Sequence, residues 1–370
     1  MSRLPKSKVL FITPLPPPVH GSSMMCDYIR KSELIRNEFD CDFINLSTSR
    51  SIEEIGKGGL KKYVRLLSSL CKTFGKLLTK RYDLCYIAIT CHGGGFLKDA
   101  PFALLCKMFG KKLVIHQHNK GMSKDVGKPI MRKLLNLVYR NSNVILLSER
   151  LYPDIQEIVD YNQVEVCPNG IPEIDSFSSI PIRHNNIPHL LFLSNLIPSK
   201  GVFTLLDALK ILKDKGLSVI CNFVGGESQE INREIFYNEV KKRGIQDIAF
   251  YLGRKYGNDK EKEFARHDVF VFPTYYDNEC FPLVLLEAMQ AGMPCISTNE
   301  GAIPDLLDGT GLVVPPQNPQ KLADSIQRLI SDKDLYNQLS QESFDRFKTH
   351  YTLDQFEKNM VECLAKAVVQ

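Results

Sequence analysis

Two glutamates, Glu279 and Glu287, stand eight positions apart in NECFPLVLLEAMQAG, with only apolar residues, a cysteine and a proline between them. On one continuous helix they would lie ~12 Å apart along the axis and roughly 80° apart around it. Paired glycosidase carboxylates sit closer, at roughly 5–9.5 Å. Pro282 favours a first helical turn, which puts Glu279 in the loop before the helix and Glu287 inside it. The two therefore should not share a proton-transfer step. The preceding DVFVFPT reads as a strand that delivers this loop to the top of a sheet. Backbone N–H groups around Phe281 to Val284 would then make an anion site at the helix start. Carboxylates beside such a site are poor phosphate ligands but good acceptors for hydroxyl groups. The ligand this geometry suits is a diphosphate with a sugar on one side and a ribose on the other. The plainer reading of Glu287 is a surface glutamate on a helix.

Other stretches offer related chemistry. LFLSNLIPSKGVFTLLDAL runs from an apolar strand through a polar loop to Lys200-Gly201, then into a helix with Val202, Leu205, Leu206 and Leu209 on one face. A lysine at such a turn meets phosphate as a point charge. FVGGES places Gly225 after another strand but lacks a dinucleotide fingerprint. In PLPPPVHGSSMM, Gly21 ends a proline run and permits close backbone approach, with Ser22 and Ser23 starting a helix. A rigid surface turn is the competing reading. KLVIHQHN ends a strand with His116 and His118 on one face. No carboxylate or cysteine comes after them at ligand spacing, so a substrate-facing histidine is favoured over a metal ligand.

The elements that must position these residues alternate between short apolar runs and helix-period segments, the pattern of a parallel α/β protein. The expected strands are Lys8–Thr13, Cys41–Leu46, Leu84–Thr90, Leu113–Gln117 and Asn143–Leu147, then Leu190–Ser194, Ser218–Val224, Ile248–Leu252, Val269–Phe272 and Cys295–Ser297. Cys167 to His189, with four prolines and no periodicity, reads as the linker between two doubly wound domains. Ligands of such sheets bind in a cleft at the carboxyl ends of the strands. Leu353 to Val369 is a helix with no strand after it.

A chain of 370 residues fits two domains. Its 44% apolar and 24% charged residues are ordinary for a soluble globular protein and give no argument for disorder. The opening apolar stretch, Val9 to Thr13, is too short for a signal peptide and reads as a buried first strand. Eleven scattered cysteines with no C-x-x-C pair point to a reducing cytosol rather than to zinc or disulfides. Residues 1–170 carry a charge of +11 and the remainder −6, which suggests that one domain faces an anionic partner. Lys57 to Arg81 holds eight basic residues and no acid, with apolar residues at helical spacing. The stripe is expected to cover the sheet. The basic face suits solvent or an anionic membrane surface. Nucleic acid is disfavoured, because no helix-turn-helix, RNA-binding aromatic signature or zinc pattern is present.

Taken together, these stretches resemble the retaining GT-B glycosyltransferases, specifically glycosyltransferase family 4. Glu279 and Glu287 match the family's E-x7-E motif, and EAMQAGMPCIST with GAIPDLLDGTGLVVPP matches the family's sequence directly after that motif. SNLIPSKG looks like the family's G-R-L-x-x-x-K-G segment, CPNG like the usual end of the first domain, and PPPVHG like the front loop. The resemblance implies two Rossmann-like domains facing each other across a cleft, residues 1–170 and 171–352, with a helix, 353–370, crossing back to the first. It implies a nucleotide-diphosphate sugar held by Lys200, by amides near Phe281 and Leu283 and by Gly225. Glu279 would bind the donor sugar, Glu287 the ribose, and Gly21 would admit the diphosphate. His118 would lie beside the reacting sugar, with His20 and His116 on the acceptor side. No catalytic metal or other cofactor is implied. Asn195 replaces the usual arginine, so Lys200 or Arg254 must carry that charge. Cys280 and Pro282 replace common glycines, and His20 replaces another.

The expected function is transfer of a hexosyl unit to a glycan or polyprenyl-linked acceptor in bacterial-type surface polysaccharide synthesis, in the cytoplasm or peripherally on its membrane. A nucleotide-sugar epimerase or hydrolase, or a non-catalytic sugar-nucleotide-binding module, are the competing readings.

Overall fold

The computed structural model describes residues 6–49, 59–183 and 185–369. The chain divides into two compact units, Met1–Gly170 with Leu353–Gln370, and Ile171–Thr352. Each is built on a six-stranded parallel sheet.

In the first unit the strands are β1 (Ser7–Thr13), β2 (Phe39–Asn45), β3 (Leu84–Ile89), β4 (Lys112–Gln117), β5 (Asn143–Leu146) and β6 (Val164–Val166), in the order β2-β1-β3-β4-β5-β6. The helices between them are α1 (Gly21–Lys31), α2 (Glu33–Glu38), α3 (Leu60–Thr79), α4 (Gly93–Met108), α5 (Ser123–Val126) and α6 (Pro129–Tyr139). In the second unit β7 (His189–Leu193), β8 (Ile220–Val224), β9 (Ala249–Tyr251), β10 (Val269–Phe272), β11 (Cys295–Thr298) and β12 (Gly311–Val314) run in the order β12-β11-β10-β7-β8-β9. Its helices are α7 (Val202–Asp214), α8 (Arg233–Lys242), α9 (Gly257–Arg266), α10 (Leu283–Gln290), α11 (Ile303–Leu307), α12 (Pro319–Ser331) and α13 (Lys333–His350). The last helix, α14 (Leu353–Val369), belongs to the first unit and packs on α2 and β4.

Parallel strands covered by helices on both faces read as unbroken apolar runs. Val9 to Ile12 of β1 and Val269 to Phe272 of β10 are accordingly buried at every position. Helices bury one stripe: Val202, Leu205, Leu206 and Leu209 on α7, and Phe356, Met360, Cys363, Leu364 and Ala367 on α14. Each sheet reverses its strand order beside its first strand, β1 or β7, and such a switch point opens a crevice at the strand ends.

Four local expectations fail. β6 and β12 went unread because they are short, partly exposed edge strands, and Glu165 or Gly311 interrupts the apolar signal. Pro282 is the residue before the first turn of α10, not within it. Gly21 opens α1 as helix, with His20 rather than a serine as its cap. The apolar stripe of α3 does not cover the sheet. Thr73 and Leu77 face inward, while Leu60, Tyr63, Val64, Leu67 and Leu78 are 60–81% exposed.

The proline-rich Cys167–His189 segment is largely a strap on the second unit. The Gln290 amide accepts from Ile174 N at 2.5 Å and donates to Pro172 O, and Phe177 is buried.

Candidate functional site

In the second unit the switch point lies between β7 and β10, and the loops leaving these strands carry the two residues of greatest interest. After β7 the chain makes a tight turn over Pro198–Lys200 and enters α7 through Gly201, whose φ of 87° is left-handed. A Cβ there would sit 2.1 Å from Pro273 O, so only glycine lets the two loops touch. Ser199 O then accepts from Tyr275 N at 2.7 Å and from the Thr274 hydroxyl at 3.3 Å. This contact brings Lys200 onto Glu279, with Nζ 2.6 Å from Oε2. Both side chains are largely buried. The ammonium also lies 4.4 Å from the ring centroid of Tyr276, a cation–π contact that holds the lysine at the loop surface.

The loop carrying Glu279 is pinned from behind. Ala302 N donates to Cys280 O, and a Cβ on Gly301 would fall 2.4 Å from Glu279 O. Cys280 and Phe281 are buried, the latter edge-on to Tyr351. No side chain caps α10, so its N-terminus after Pro282 presents the amides of Leu283 and Val284, Leu285 N already donating to Pro282 O. Glu287, two-thirds along this helix, pairs with Lys260 of α9 at 2.6 Å. The two glutamates thus have separate lysine partners.

After β8, Gly225 has a φ of 151°, and a Cβ would overlap Ser194 O at 1.8 Å. The neighbouring Gly226 N donates to Asn195 Oδ1 at 3.3 Å. The Arg254 guanidinium lies over Gly226, where a Cβ would meet its Nε at 2.2 Å. Asn195 and Arg254 are both exposed and border the same glycine turn.

The first unit holds a trough of about 820 Å³ at its own strand ends, lined by His20, Thr90, Lys98, Asp99 and His118 among others. His20 caps α1, its Nδ1 3.4 Å from Ser23 N and 3.1 Å from Ser22 Oγ. Burial lowers its pKa, and Lys98 adds to this. His118 comes just after β4, and both its ring nitrogens are shut from solvent without a hydrogen-bond partner. Burial, then His20, pushes its pKa down to about 3, so the ring is neutral. Asp99 accepts from Thr90 N at 3.0 Å and pairs with Lys98 at 3.1 Å.

His116 does not reach the trough. It is fully buried beneath His118, ring centroids 4.1 Å apart, with Nδ1 2.6 Å from the Tyr86 hydroxyl. The acceptor-side assignment of His116 is therefore corrected: His116 lies within β4 and belongs to the core, whereas His118, just past the strand end, lines the trough. Among the described residues no three metal-ligating side chains gather.

Lys200, Glu279, Cys280 and Phe281 come together at one strand-end, with Pro282 and Leu283 at the adjoining helix start. Gly225, Asn195 and Arg254 form a second group. Gly21, His20 and His118 belong to the first unit. Sequence reasoning missed Tyr276, Thr274, Gly301 and Lys260. The TYY run after β10 was the one available signal, since an aromatic beside a loop lysine invites cation–π packing.

Residues 177–346 match the family Glycosyl transferases group 1, so the second unit carries a domain of that kind. An uncharacterised glycosyltransferase of Methanocaldococcus jannaschii is 25% identical over 57% of this chain and 57% of its own. An exopolysaccharide phosphotransferase of Streptomyces coelicolor is 28% identical over 60% of this chain and 24% of its own. A GDP-mannose-dependent alpha-(1-6)-phosphatidylinositol monomannoside mannosyltransferase of Mycobacterium tuberculosis is 30% identical over 64% and 66%. The chain thus spans a quarter to just under two thirds of these relatives' lengths. Sucrose-phosphate synthase of Thermosynechococcus elongatus superposes over 98% of this chain and all of its own, with a TM-score of 0.73 at 17% identity. Anabaena HepE, solved in complex with UDP, covers 97% and 100% with a TM-score of 0.73 at 17% identity. The two units have the GT-B fold.

Proposed function

We propose that the chain is a retaining glycosyltransferase of family 4 that moves a hexosyl unit from a nucleotide-diphosphate sugar to a glycan or polyprenyl-linked acceptor. The carrying observation is the Lys200–Glu279 pair, buried at the switch point beside an uncapped helix start. A cation and backbone donors suit a diphosphate, and an adjacent carboxylate suits sugar hydroxyls. The solved relative with UDP and the GDP-mannose-dependent relative support a nucleotide-linked donor.

In this reading the diphosphate displaces the ammonium from Glu279, whose Oε2 is then free to accept from the sugar. Glu287, paired with Lys260, accepts from the ribose hydroxyls in this reading. Arg254 stands beside the turn where Asn195 withholds a charge and supplies it to the phosphate. The bond from the sugar's anomeric carbon to the phosphate oxygen breaks, and one to the acceptor oxygen forms on the same face. The acceptor's proton passes to the departing phosphate oxygen, so no enzymatic nucleophile is required. Lys200 and the helix-start amides stabilise the charge that develops there. His118, neutral and lining the trough, would lie beside the reacting sugar. The reaction needs no metal, since the protein supplies the countercharge.

The setting we infer is bacterial-type surface polysaccharide synthesis, which the exopolysaccharide-named relative supports. The test is a thermal-shift screen of UDP-, GDP- and ADP-sugars with and without divalent cations. A donor at about 100 times its Kd should stabilise the protein by ~2.7 kcal/mol. The reading fails if no nucleotide-sugar stabilises the protein, or if the one that does is turned over to free sugar alone with every glycan acceptor offered.

A further inference from the structure

Helix α3 presents its apolar stripe to solvent. Leu60, Tyr63, Val64, Leu67, Phe74 and Leu78 recur on one face through its whole length and are all exposed. α4 adds the exposed Leu97 and Met108 beside it. Between the two helices lies a groove of about 460 Å³, lined by Leu70, Phe74, Pro101, Leu104, Leu105 and Met108. Isolated exposed apolar residues are ordinary, but a continuous stripe joined to a groove marks a docking face.

The charges beside the stripe select its occupant. Lys57 to Arg81 carries eight basic residues and no acid of its own, although Lys76 and Lys80 pair with Asp42 of β2. Lys61 and Lys72 on α3 are exposed. A second copy docking through the same face would set this positive surface against itself, because a two-fold contact is self-matching. An anionic lipid surface takes both features, apolar side chains below the headgroups and cations among them. Among the described residues no helix is long and apolar enough to cross a membrane, so the face would lie on the lipid rather than span it.

The same helix reaches the trough. Lys62, Tyr63 and Leu66, with Gly59 just before the helix, line it together with His118 and Asp99. We infer that the α3–α4 face rests on an anionic lipid surface and leads the polar head of a lipid-borne acceptor into the trough at the start of α3. This deepens the proposed transferase reading and depends on it for the word acceptor, but lipid binding itself does not.

Flotation with phosphatidylcholine vesicles containing about 30% phosphatidylglycerol tests it. The protein should float with these vesicles at low salt and stay behind with pure phosphatidylcholine. The exposed pair Leu67→Glu/Phe74→Glu should reduce bound protein at least about tenfold, and Lys61→Glu/Lys72→Glu should do the same at low salt only. Both variants should keep the wild-type melting temperature and donor-induced thermal shift. Wild-type protein that fails to float overturns the inference, as does a Leu67→Glu/Phe74→Glu variant that floats like wild type. So does a concentration-dependent dimer, seen by sedimentation without lipid, that the same variant abolishes. A donor shift without flotation removes only the lipid face, whereas flotation without any donor shift removes the transferase reading.

Discussion

The two strand-end sites solve opposite problems. In the second unit two buried or half-buried pairs stand ready, Lys200 with Glu279 and Tyr276, and Glu287 with Lys260, while Arg254 is exposed. In the first unit the trough holds one ion pair, Lys98 with Asp99, and histidines whose pKa burial lowers, and His118 has no hydrogen-bond partner at either nitrogen. A site built for a charged ligand keeps countercharges in place before the ligand arrives, because an unpaired buried charge costs several kcal/mol. A site built for a neutral, hydroxyl-rich ligand can leave neutral groups waiting, because their penalty is about 1–3 kcal/mol each. The difference is what the proposed division of labour, donor on the second unit and acceptor on the first, rests on.

The largest expected effect comes from breaking the matched side. Lys200→Ala should lower transfer by about 10²–10³, as loss of a preorganised electrostatic group does. Glu279→Gln in the same background should recover part of the lost stability but none of the rate, because it removes the unpaired carboxylate. Single-turnover rates and melting temperatures separate the two effects. Equal activity of Lys200→Ala and wild type would break the comparison outright.

Glu287→Ala comes next, with donor Kd raised about 10- to 100-fold by calorimetry, for one charge-assisted contact worth about 1.5–3 kcal/mol. Its effect should fall on donor binding and leave the acceptor KM unchanged. Arg254→Ala should raise donor Kd about tenfold, and Asn195→Arg in that variant should restore it if the two positions serve the same phosphate. Failure of the restoration would separate Arg254 from the phosphate.

The smallest effect concerns pH and belongs to the neutral side. His118, near 3, and the buried His267, near 4, have folded pKa values below the usual ~6.5 of histidine. The unfolded chain therefore binds more protons, and stability is fully present above pH ~6.5 and lost as pH falls toward the folded values. Each such group contributes a slope of up to about 1.4 kcal/mol per pH unit in that window. His118→Asn should flatten the slope between about pH 6 and 4 in urea titrations. An unchanged slope would mean that His118 is already charged in the folded protein.

Much of the architecture was legible because parallel strands covered on both faces announce themselves as apolar runs. β10 was read with both its ends, and most other strands within one or two residues. β6 and β12 were not, since an edge strand has one covered side and a weaker signal. The candidate site was legible in its members but not in its contacts. That Glu279 precedes α10 while Glu287 sits inside it came from Pro282 and the spacing. That each carboxylate holds a lysine did not, because Lys260 sits 27 positions before Glu287 and Lys200 79 positions before Glu279. His116 shows the limit of period 2: alternation put it on the face of His118, but depth along the strand decided that it meets Tyr86.

The sequence by itself determined two parallel α/β units and the loops that carry the site. These come from local period and backbone sterics, which are written along the chain. The tertiary structure alone decided which charges meet, which histidine is core, and that the stripe of α3 faces solvent. Periodicity states which residues share a face; only packing against the rest of the chain states whether that face is covered.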